Sequence, residues 1–241
     1  MKYSHIICIG DSITNERDHY SKLGILDIFD QRGYDFKSYP EFLGDHYKCP
    51  VETFGKPGMT MPFTMMELLD KVDYILSLEN PLIIYQFGIF FNATLKVDNA
   101  SDILWKDLNN AHNNSGVVID GSESFSDKMD IDEKMAIATW FSKYEEFRNY
   151  WYIEEFIAIS EMINRMKPTN IFGMIYSKPK FKIPTDYHLL NMWDIGAGSD
   201  TDKLQNIDFL FPDIIDGHKT TEANQILANE IIRQINTKKV I

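Results

Sequence analysis

His5-Ile6-Ile7-Cys8-Ile9-Gly10-Asp11-Ser12-Ile13-Thr14 is a short apolar run that breaks at a glycine into a polar turn. Its apolar residues are consecutive rather than alternating, the pattern of a strand covered on both faces in a parallel sheet. Three later stretches share the character: Val51 to Phe54, Pro81 to Phe87 and Asn170 to Tyr176. Helix-like segments lie between and after them. Ser38 and Pro40 open one that runs from Tyr39 to Tyr47. Met65 to Leu78 carries Leu68, Leu69, Val72, Ile75 and Leu76 at helical spacing. An aromatic-rich segment from about Asp132 to Met166 is stopped by Pro168. The last helix, from near Thr220 to about Ile235, has Ala223, Ile226, Leu227, Ile231 and Ile235 on one stripe, with Thr220 or Thr221 as its cap.

Strands alternating with helices imply right-handed βαβ units and a mostly parallel sheet covered on both sides. Two segments interrupt the alternation, at about 15–37 and 93–132, and both read as too polar to own a core. The expectation is one α/β domain over residues 1–241 with two polar insertions.

Composition narrows the function. Lys and Arg total 24 against 36 Asp and Glu, a net charge of −12. A duplex-binding protein needs a basic face to neutralise phosphate, and an anionic membrane surface would repel this chain. The 2 cysteines cannot build a disulfide framework and show no zinc spacing, and Cys8 reads as a core residue. No run approaches membrane-spanning length, and Ile6 to Ile9 is too short for a signal-peptide core. A protein without a signal peptide, cytoplasmic or otherwise soluble, is expected. There is no GxGxxG or GxxxxGK[ST] loop, and the histidines lack metal-ligand spacing, so no cofactor is expected.

Two places can carry chemistry. Ser12 stands just past the end of the first strand, at the rim where open α/β sheets place their sites. Near the other terminus, Asp213-Ile-Ile-Asp216-Gly217-His218 directly precedes the last helix. A serine hydroxyl is a poor nucleophile until a base takes its proton, and the imidazole needs a carboxylate to fix its tautomer. Asp216 and His218, two apart, can turn both side chains to one side in an extended segment. Taken singly, each is also ordinary turn chemistry. A metal held by Asp11, Asp216 and His218 for phosphoester hydrolysis ranks below the serine reading.

These blocks resemble the SGNH, or GDSL-type, hydrolase family. Gly10-Asp11-Ser12-Ile13-Thr14 matches its first block, and Val51-Glu-Thr-Phe-Gly55-Lys-Pro-Gly58-Met-Thr60 resembles its second. Asp216-Gly217-His218, followed by Glu222-Ala223-Asn224, resembles its last. The resemblance implies a three-layer α/β/α, flavodoxin-like fold and a metal-free esterase or carbohydrate O-deacetylase. It assigns Ser12 as nucleophile, His218 as base, Asp216 as orienting acid, and the Ser12 and Gly58 N–H groups as oxyanion donors. The third block departs: Phe90 and Phe91 stand where the family has Asn and Asp. Asn92 is the expected substitute donor, with Gln86 behind it. The last block also departs, as Asp-x-His for the family's Asp-x-x-His, which makes Asp213 a fallback acid.

The expected partner is a small ester or acylated carbohydrate, cleaved or transferred to an acceptor. The alternative is a non-catalytic binding or structural protein on the same fold. There the helix carrying Trp140, Tyr144, Phe147 and Trp151 would be a homo-oligomer face rather than core.

Overall fold

The apolar residues of the first strand divide between two helical layers. In the computed structural model, which describes residues 2–55, 61–87, 92–95, 117–120, 150–175, 188–192, 195, 206–214 and 218–238, β1 spans His5–Gly10. Ile6 and Cys8 pack with Tyr39, Leu43, Leu227 and Ile231, whereas Ile7 and Ile9 pack with Met65, Leu68, Ile75 and Phe156. Side chains alternate across a strand, so a run that is apolar at every position demands a cover on each face.

The remaining elements follow in order. α1 (Glu16–Lys22), α2 (Ile25–Gln31) and α3 (Tyr39–Tyr47) precede β2 (Val51–Gly55). α4 (Met61–Asp70) and α5 (Val72–Ser77) lead to β3 (Pro81–Gln86). β4 (Asn92–Leu95) pairs antiparallel with β5 (Val117–Asp120). Then come helix α6 over 150–166, β6 (Asn170–Ile175), β7 (Leu189–Asn191), α7 (Ile207–Leu210) and α8 (Thr221–Thr237).

The main sheet has the order β2-β1-β3-β6-β7, with every pairing parallel. Counted by strand within that sheet, this is 2-1-3-4-5, the flavodoxin-like order. α3 and α8 cover one face, and α4, α5 and α6 cover the other. The chain leaves β1 for β2 on one side and later returns to β3 on the other. The C-terminal end of β1 is therefore the switch point at which such folds open a crevice.

Most expected elements form where the pattern placed them. Ser38 caps α3 in a capping box with Glu41, whose carboxylate accepts from the Ser38 N–H at 2.8 Å. Thr220 caps α8, its hydroxyl accepting from the Ala223 N–H at 3.1 Å. The Met65 to Leu78 segment is two helices meeting at Lys71, whose N–H is shared between the Glu67 and Leu68 carbonyls. Of the aromatic-rich segment, Ile153, Phe156 and Ile163 are buried, while Trp151 and Met166 are exposed. Trp140, Tyr144 and Phe147 lie outside the described residues. Among the described residues no helix is long and apolar enough to cross a membrane.

The 15–37 insertion differs from its reading. It folds as α1 and α2, and Tyr20, Ile25, Phe29 and Phe36 form an apolar cluster with Ile207 and Ile214. This satellite core mixes rings with isoleucines, and its rings meet edge-on: Tyr20 lies 4.8 Å from Phe36 and 5.4 Å from Phe29. A few large apolar side chains bury enough area to organise a segment rich in charge.

β1 and β2 end together in a close backbone approach. Gly55 has φ 138° and lies opposite Gly10, and a Cβ on it would overlap the Gly10 carbonyl. Glycine alone accepts both the angle and the contact. Gly55→Ala is expected to cost roughly 2 kcal/mol or more of folding stability, read as a lowered midpoint in urea unfolding.

Candidate active site at the end of the central strand

Beyond Gly10 the chain turns through Asp11, Ser12, Ile13 and Thr14 into α1, closed by the Asn15 N–H donating to the Asp11 carbonyl at 3.1 Å. Asp11 is buried beneath this turn. Its Oδ1 accepts from the Ile13 N–H at 2.9 Å and from Gln86 Nε2 at 2.8 Å. The Gln86 carbonyl oxygen in turn accepts from the Thr14 hydroxyl, which also meets the Tyr39 hydroxyl at 2.9 Å. Asn15 extends the network to β2, donating to the Gly55 carbonyl at 3.2 Å and accepting from the Thr53 hydroxyl at 2.9 Å. Ser12 sits half-buried on top of this layer.

His218 reaches the same edge from the far end of the chain. Contacts on two sides place its segment. Glu16, fully buried on α1, accepts from the Lys219 N–H at 2.9 Å and from Asn224 Nδ2 at 2.7 Å. Asn224 Oδ1 accepts from the Tyr39 N–H at 3.2 Å, which brings α3 into the clamp. On the other side Lys219 forms a β-bridge with Asn206, and the Ile207 N–H donates to the His218 carbonyl at 2.7 Å. The His218 ring then lies 4.5 Å from the ring of His19 and 5.9 Å from that of Tyr20.

The Asp11 carboxyl has its pKa raised by burial, which outweighs the Ile13 and Gln86 hydrogen bonds and the favourable charge of His218. Among the described residues no hydrogen bond joins Ser12 Oγ to the His218 ring. Such bonds are often long before a substrate is bound.

The other expected site residues divide clearly. Gly58, Phe90, Phe91 and Asp216 lie outside the described residues. Asn92 begins β4, paired with Asp120. Gln86 cannot serve the oxyanion: it is fully buried, and its amide is committed to Asp11 and Thr14. Asp213 is held at the surface by Arg32, just past α2, Oδ1 accepting at 2.9 Å, and the guanidinium brings its pKa down to about 2. That pairing occupies the fallback acid. No three His, Cys, Asp or Glu side chains among the described residues cluster as metal ligands would.

Sequence reasoning missed Glu16, Thr14 and His19, whose partners are remote in the chain. Gln86 did leave a signal, since a polar residue ending the apolar run Pro81 to Phe87 must find partners inside.

Two outcomes are expected. Glu16→Gln leaves one acceptor for two inward-facing donors and should cost about 1–3 kcal/mol in chemical denaturation. For Asp11, a raised folded-state pKa means its stabilising contribution is complete below the ordinary carboxylate range and is lost as pH rises through the raised value. Asp11→Asn should therefore gain stability relative to the parent between acid and neutral pH. A pH-independent difference in urea unfolding would contradict this assignment. In comparisons with known proteins, no family model matches the chain, and no curated protein matches it significantly.

Proposed function

We propose that the chain is a serine ester hydrolase of SGNH type, with Ser12 as nucleophile and His218 as general base. The observation that carries the reading is the meeting of two chain ends at one sheet edge. Ser12 follows β1 at the switch point, and Glu16, on the helix that follows the Ser12 turn, holds the backbone of Lys219 next to His218.

The chemistry runs in two halves. Ser12 Oγ attacks the ester carbonyl as His218 takes its proton. The tetrahedral adduct collapses, His218 protonates the departing alkoxide, and an acyl-serine remains. Water then attacks the acyl carbon, His218 takes the water's proton, and the returning Ser12 oxygen recovers it. The products are a carboxylic acid and an alcohol. The family resemblance gives the Ser12 and Gly58 N–H groups as oxyanion donors, with Asn92 a substitute for the asparagine that Phe90 replaces. Losing one such donor typically costs about 3–4 kcal/mol of transition-state stabilisation. Asp216 is the orienting acid on the same ground. The substrate class is an ester, with O-acetyl groups on a glycan the first to test. An acceptor hydroxyl in place of water would make the same residues an O-acyltransferase.

Labelling with a fluorophosphonate probe, read by intact mass, tests the reading. A single adduct is expected on the parent and none on Ser12→Ala. Turnover of an activated acetate ester should fall by roughly 10³-fold or more in that variant. No adduct on the folded parent would overturn the hydrolase and leave a non-catalytic protein on this fold.

A further inference from the structure

We propose that His19 is a positioning residue for His218, and that the 15–37 insertion holds it in place. This rests on the reading of His218 as the base.

The two imidazole rings lie 4.5 Å apart, inclined at 44°. Tyr20 meets the same His218 ring edge-on, at 5.9 Å and 78°. His218 thus rests on two consecutive residues of α1. An imidazole that shuttles a proton must present one nitrogen to the nucleophile and keep its ring plane through both halves of the reaction. The backbone contacts of Lys219 fix where residue 218 sits, but they leave rotation about its side-chain bonds open. A ring packed on one face closes that rotation at no hydrogen-bonding cost.

The support behind His19 is firm. Tyr20, its neighbour, is fully buried among Phe29 and Phe36. Glu16, one turn earlier, binds the backbone of Lys219 itself. Arg17 ties the same helix to α3, its Nε 2.9 Å from Glu41, and donates to the Phe36 carbonyl at 2.7 Å. α1 therefore grips the His218 segment by its backbone and its ring at once. The satellite cluster acquires a purpose: it anchors the helix that carries His19.

The test compares His19→Ala with His19→Phe, which keeps a flat ring of similar size. For the activated ester, His19→Ala should lower kcat on the order of 10-fold to 100-fold with little change in KM, as expected when a catalytic group is misplaced rather than removed. His19→Phe should restore most of the loss. A second readout needs no activity: the rate at which diethyl pyrocarbonate modifies His218, followed by peptide mass mapping on the full chain. His218 should react several-fold faster in His19→Ala and at the parental rate in His19→Phe. Equal rates in all three proteins, or equal loss of kcat in both variants, would overturn the proposal. Failure of fluorophosphonate labelling with the modification pattern intact would instead overturn the hydrolase reading alone.

Discussion

The carboxylate of Glu16 is fully buried and accepts two hydrogen bonds, from the Lys219 backbone and the Asn224 side chain. An unpaired buried charge is costly, so this group is tolerable inside only if both donors arrive. Satisfying it docks the start of α8 on α1, and Asn224 carries the link on to the first turn of α3. Everything at the switch point depends on that docking, because the segment holding His218 is placed by its neighbour Lys219. Neither cysteine is in a disulfide. Buried polar contacts across the two ends of the sequence do the joining instead.

A second polar layer lies beneath the first. Asp11, Gln86, Thr14 and Tyr39 form one hydrogen-bonded chain directly under the Ser12 turn. Such networks are rigid when every member is satisfied. The turn after β1 is thus held from below by side chains as well as by its own backbone bonds. The close approach of Gly10 and Gly55 leaves room for this layer, since a side chain at Gly10 would strike Thr14 and Gln86.

The strands were legible because a doubly covered strand must be apolar on both faces, and β1, β3 and β6 carry consecutive apolar residues with polar ones only at their ends. β7 escaped reading: three residues, Leu189–Asn191, are too few to show a period. The 15–37 insertion was read by its charges, although four large apolar residues in it were enough to nucleate a cluster. Ser12 and His218 stood out as candidates from local turn context. Glu16, Thr14 and His19 did not, because their contacts are made with partners that sequence spacing does not encode. Asp213 shows the converse. Its position five residues before His218 made it the fallback acid, but Arg32, just past α2, binds it. Local spacing cannot foresee a competing cation from another element.

The separation between Glu16 and its partners has a consequence for how the protein comes to be made. The two bonds span 203 and 208 residues. At a synthesis rate of about 5–20 residues per second, the helix carrying Glu16 leaves the ribosome roughly 10–40 seconds before Lys219 exists. Through that interval the Glu16 carboxylate lacks both donors, so α1 is without the contacts that join it to the start of α8. Pairings so distant in sequence also slow folding, because the loop between them must close before they form. The two ends of the described chain are therefore brought together only after residue 219 has been made, and a chain cut short of it lacks the contacts that hold them in one place.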